Sequence, residues 1–410
     1  MKKTINIKIQ KVKFSKLFIF FFYCMLTLTL IPVVVADTTF ASSDVLLKRY
    51  ETGLPPLKDI AISNKGTYVI GSELDKTIYM YDNVGNLYWS LPSDDRIMNV
   101  GISSDGDNII ASTGSGMIYL IDSKGKIIWS DALGHWVNAV DITNDGKFIA
   151  EGANNGIIRV LDHGDNEIWN YSVENDVLSI DLSSNADSCV VGTDDGNVYL
   201  FNNSGKLIWT YKTGVSANCV GISEDGNTII AGNGEGMIYR FNRDGKRIFA
   251  TKLGLNILSC AVSSNGKYIL AGSSVLEGSS DQYVYLNRAD GTPVWKYNTN
   301  DAVPGVSISQ NGKYLVGIST IKRVLSATPE GVVDFFQSPI DIEDITPSPT
   351  TVITVRPVTT PTPTSTPIIT PTPSPWNFGK SDYAIIFSLI GVGSLFGIFK
   401  LFPSKFWKKK

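Results

Sequence analysis

The sequence predicts an all-β fold, a seven-bladed β-propeller of four-stranded antiparallel blades, and three observations predict it. An aromatic residue recurs every 40 residues at Trp89, Trp129, Trp169, Trp209 and Phe249. After six extra residues within Ser273–Asp281 it returns as Trp295 and Phe335. Each period holds four short runs rich in β-branched and aromatic residues, separated by Asp/Asn/Gly clusters that suit hairpin turns. The first run of each period splits into a large apolar face and a small or polar face, as an innermost strand requires. Four strands in about 40 residues is the signature of a propeller blade.

Residues 1–36 read as a signal peptide or signal anchor. Six lysines between Lys2 and Lys16 precede an uncharged apolar run, residues 17–35, and small residues up to Ala36 offer a cleavage site. The propeller fills 45–337, with repeats at about 46–90, 91–130, 131–170, 171–210, 211–250, 251–296 and 297–337. In the second repeat the four runs are RIMNVGIS, NIIAS, MIYLI and KIIWS. First-strand residues Ile60, Val100, Val140, Ile180, Val220, Cys260 and Val306 belong to the face that packs between blades. Asp59, Asn99, Ala139, Ser179, Cys219, Ser259 and Gly305 belong to the face that lines a crowded central tunnel. The third strand repeats a tyrosine (Tyr79, Tyr119, Tyr199, Tyr239, Tyr285), with Arg159 and Leu325 in the same slot. Closure needs one more fourth strand. Residues 45–50 (VLLKRY) fit it, with Tyr50-Glu51-Thr52-Gly53 echoing Tyr211-Lys212-Thr213-Gly214, and Val332 to Phe336 compete for the same place.

Beyond the ring, residues 341–376 carry nine of the eighteen prolines and eleven threonines, a composition that cannot bury a core. Extended at ~3.1 Å per residue, this stalk reaches roughly 110 Å. Residues 383–402 form an apolar run read as a transmembrane helix, and 403–410 a basic cytoplasmic tail. Both basic ends then lie inside by the positive-inside rule, which puts the propeller on the extracellular side of a single- or double-pass membrane protein. Eleven of the 36 basic residues lie in those ends, leaving 25 against 39 acidic residues between them. That field repels a phosphate backbone, so no nucleic-acid partner is expected. Cys24 falls in the first apolar run. Cys189, Cys219 and Cys260 are too few for a disulfide framework, and Cys219 on the tunnel face is expected to point away from Cys260 in the blade interior. Asn170 and Asn202 begin candidate N-glycosylation triplets.

The unit Val198 to Trp209 (VYLFNNSGKLIW) resembles the repeat of quinoprotein-dehydrogenase-like (PQQ-like) propellers, whose tryptophan-docking motif ends Asp-x-x-x-Gly-Lys-x-x-Trp. Asp122 to Trp129 is one residue shorter than that motif, and Asn287 to Trp295 has its full length. The resemblance covers 45–337 and implies that Trp89, Trp129, Trp169, Trp209, Phe249, Trp295 and Phe335 dock each blade onto its neighbour. The half-repeat Ser104 to Ile109 resembles WD-type and lactonase-type propellers equally, and the stalk and anchor are similar to surface proteins of archaea. The superfamily holds both quinone enzymes and non-enzymatic scaffolds, so fold alone does not choose between them. Its enzymes use adjacent cysteines, a Glu-Asn-Asp calcium site and an Asp base, usually on eight blades. This chain has no adjacent cysteines and seven repeats, so no catalytic residue and no PQQ site carries over.

Asp59, Asp141 and Asp181 face the tunnel and are the candidate Ca²⁺ ligands, against the plainer reading of carboxylates satisfied by water. His135 and His163 sit in loops, apart from any metal or triad motif. Arg96, Trp136 and Asp176 share a column at one tunnel mouth with Pro56, Ser216, Asn256 and Ala302, and are the candidate partner-binding residues. The function expected is a non-catalytic protein- or ligand-binding or assembly module at the cell surface. A quinone-dependent or hydrolytic propeller enzyme is the alternative.

Overall fold

The computed structural model describes residues 45–338, except 73, 275–281, 322–329 and 337, together with 351–354. The chain divides into two units at Pro357, and the described residues all belong to the first. Blade one runs through strands Leu57–Ile62, Tyr68–Ser72, Thr77–Tyr81 and Leu87–Pro92, each bonded to the next. Blades two to six repeat that order from inner strands Ile97–Ile102, Val137–Ile142, Val177–Leu182, Ala217–Ile222 and Asn256–Val262. Blade seven consists of Gly305–Ile308, Leu315–Ile321 and Glu330–Phe336, completed by Leu46–Glu51 as its fourth strand. Its inner strand lies against that of blade one, which closes the ring. A short strand, Thr351–Thr354, pairs in parallel with Leu46–Glu51.

Both strands that competed for the closing place are therefore used, in succession. This moves Phe335 out of the docking column. It lies on the third strand opposite Lys48, as Leu120 lies opposite Trp129 in blade two. The connection between the second and third strands of blade seven spans 322–329, and its length shifts the repeat, so counting by 40 lands one strand early. Leu325 lies in that connection, outside the described residues.

Docking itself follows one geometry. The Trp89, Trp129 and Trp209 indole nitrogens each donate to a turn carbonyl of the next blade (Ser123, His163 and Arg243), all at 3.0 Å. The rings of Trp89, Trp169 and Trp209 cover the turn glycines Gly125, Gly205 and Gly245, while Asp165, also at positive φ, holds the equivalent position in the blade-three turn. A Cβ on Gly245 would sit 2.7 Å from the Trp209 ring, so any other residue would push the indole aside. At the closing joint Lys48 occupies the tryptophan slot, and Tyr50, two residues on, does its work. Its ring covers Gly85, and its hydroxyl donates to Asn83 O at 3.1 Å, the carbonyl equivalent to Ser123 O.

Between blades the large residues interlock. Ile110, Ile118 and Leu120 of blade two pack with Val137, Val140, Ile142 and Leu161 of blade three. Fully burying each such side chain contributes about 1.5–3 kcal/mol. Two charge groups replace tyrosine in the third-strand slot. Arg159 bridges Glu151 and Asp131, while Asp334 takes a bidentate pair from Arg49 at 2.7 Å. Among the described residues no helix is long and apolar enough to cross a membrane. The segments read as signal, transmembrane helix and tail lie outside those residues, as does the stalk apart from 351–354.

Candidate functional site

The seven inner strands surround a cavity of about 490 Å³. Each inner strand has one edge with no strand beside it, and its N–H groups need acceptors. Side chains of the preceding blade supply them. Asp59 accepts from Val100 N at 2.9 Å, Asn99 from Val140 N at 2.8 Å, Ser179 from Val220 N at 3.0 Å and Ser259 from Val306 N at 3.0 Å. One tier along, Asp141 accepts from Leu182 N at 2.8 Å and Asp181 from Ile222 N at 2.7 Å. The tunnel aspartates thus act as clasps between blades.

The structure brings Asp141 and Asp181 into hydrogen-bonding contact and leaves Asp59 on the other tier, beside Asn99. Burial pushes the Asp59 and Asp141 carboxyls up to about 6. Asp181 is raised well above the usual range by burial and then by the charge of Asp141. Two carboxyls in contact share a proton more readily than they hold two charges. Among the described residues no group of three or more His, Cys, Asp or Glu side chains is placed to hold a metal ion.

The two mouths differ. At the mouth formed by the turns after the inner strands, Glu224 accepts from Asn144 (2.8 Å) and from Gln310, and Gln310 accepts from Asn64 at 2.9 Å. Four blades are tied across the opening. At the opposite mouth the Arg96 guanidinium lies over the Trp136 ring, 4.9 Å from its centroid, while Trp136 stays 46% exposed. Leu255 is 54% exposed in the corresponding loop three joints further on, before the inner strand of blade six. Asp176 is near Asp194, whose charge, after burial, raises its carboxyl.

Profiles of two known families match this chain. One is described as the outer membrane protein assembly factor BamB and matches residues 74–193. That match spans 120 of the 410 residues and supports a similarity to PQQ-like propellers. The second, a family of unknown function (DUF5711), matches residues 185–326, and no curated protein matches. In the ring His135 is an exposed loop residue, and His163 lies in a turn with Nε2 2.9 Å from Asn108 Oδ1. Asn170 is exposed on a fourth strand. Asn202 instead caps its own turn, its Oδ1 accepting from Ser204 N and Lys206 N. Cys219 and Cys260 are not segregated between tunnel and blade interior: both lie in one buried cluster and both line the tunnel. Sequence reasoning missed the Glu224 lattice and the Arg159–Glu151–Asp131 group. Glu151, set in a column of Ala111, Val191, Ala231 and Ala271, was the signal for the latter.

Proposed function

We propose that the chain is a non-catalytic binding or assembly module held on the outer side of a cell membrane, with the Arg96–Trp136 mouth as its protein-contact surface. The observation that carries this is the cation–π pair built on an exposed tryptophan. Tryptophan and arginine are the residue types that anchor interfaces, and stacking fixes both before a partner arrives. The match to an assembly-factor profile supports protein partners. The basic, apolar-flanked ends of the sequence support membrane attachment with the ring outside.

A photo-cross-linking residue placed at position 136 in living cells tests the surface. Discrete protein adducts are expected there, and none from the same probe at Ile128 on the fourth-strand rim. No adduct at 136, or the same adducts at both positions, would overturn the assignment.

A further inference from the structure

Blade five and blade six meet at a joint unlike the others. At equivalent joints the tunnel-face residue and the packed-face residue of the next blade are Asp59 with Val100, Ser179 with Val220, and Ser259 with Val306. Here both are cysteines, Cys219 and Cys260. Cys219 is paired in the ladder with Gly232, and a Cβ on Gly232 would lie 2.6 Å from the Cys219 Sγ. Cys260 reaches the same buried cluster from blade six, close enough to the Cys219 thiol for the two to interact. The missing side chain leaves the space that the Cys219 sulfur occupies. Both belong to one buried cluster, Cys219 4% and Cys260 9% exposed, and both border the tunnel. Cys189 lies in a different cluster, around Trp169 and Phe201.

We propose that Cys219 and Cys260 are an oxidisable pair that closes to an interblade disulfide when a small two-electron oxidant of the peroxide class enters the tunnel. One thiolate attacks the peroxide and breaks its O–O bond. That sulfur becomes a sulfenic acid, and the departing hydroxide leaves as water with the thiol's proton. The second sulfur then displaces the sulfenic hydroxyl, forming the S–S bond and releasing a second water. Two thiols lose two electrons and one peroxide gains them. Burial holds the Cys260 thiol well above its ordinary value, so closure is expected to be slow at neutral pH and faster in alkali. The bond would add a cross-link between two blades that otherwise meet through packing and hydrogen bonds such as Glu224 N to Ser264 O at 3.2 Å, and would restrain the unfolded chain.

The test uses the full chain, reduced, freed of reductant and treated with hydrogen peroxide. Non-reducing peptide mapping should find residues 219 and 260 cross-linked with the loss of two hydrogens, and the melting temperature should rise and fall back on reduction. Cys219→Ser and Cys260→Val each place at the joint a residue that other blades use there, so both variants should fold and neither should show the cross-link or the shift. Cys189→Ser should keep both. A folded, oxidised protein whose Cys219 and Cys260 remain thiols, go only to sulfinic acid, or pair with Cys24 or Cys189 would overturn the proposal.

Discussion

The two mouths of the tunnel are cut from the same seven-fold repeat, yet their departures from the repeat run in opposite directions. At one mouth Asn64, Asn144, Glu224 and Gln310 direct their polar atoms at one another across the opening. At the other, Arg96 and Trp136 pair with each other and still present a half-exposed indole, with Leu255 exposed in the loop before blade six. Irregular residues that satisfy each other hold a ring together. Irregular residues that stay in water after folding are the better candidates for contact with something else.

The harshest way to break this comparison is to open the ring on which both mouths depend. Arg49→Ala would leave Asp334, 1% exposed, without its cation. The expected loss is about 3–5 kcal/mol in urea unfolding. Glu224→Ala attacks one mouth alone and leaves the Asn144 and Gln310 amides without their acceptor. It should cost about 2 kcal/mol, and unchanged stability would show that the lattice is ornamental.

A smaller effect lies between the mouths. Asp59 and Asp141 are raised to about 6 in the folded chain from an ordinary 3.8, so the native state holds protons that the unfolded chain has released. The stability of these protonated clasps is full below the unfolded value and is lost as pH rises through the folded one. Unfolding free energy should therefore fall between about pH 4 and 6. Asp141→Asn should flatten that slope by on the order of 1 kcal/mol, because Asn99 already performs the same clasp as an amide at the other tier. An unchanged slope would mean that the pair does not share a proton.

Most of the ring was legible because blade packing imposes a strict alternation on every inner strand and a docking aromatic on all but one fourth strand. Strand Leu46–Glu51 was legible too, through the echo of Tyr211 in Tyr50. Its role as a substitute dock was not, since Lys48 in the tryptophan slot says nothing about a hydroxyl reaching Asn83 from two residues away. Phe335 misled because the period counts residues and the 322–329 connection changes the count. At the mouths, the column of Arg96 and Trp136 was readable as a column, but their stacking depends on loop conformation. The tunnel aspartates were seen as a candidate metal site because composition shows carboxylates. It does not show the backbone N–H groups of the next blade that they accept from.

The central claim is that the Arg96–Trp136 mouth, and not the Glu224 mouth, makes the protein contact. Quantitative cross-linking mass spectrometry on intact cells tests it most directly, comparing the natural chain with Arg96→Ala/Trp136→Ala and with Glu224→Gln. The expected result is at least a tenfold loss of inter-protein cross-links in the first variant, with folding retained, and wild-type levels in the second. Cross-links that survive the double substitution and vanish with Glu224→Gln would contradict the account.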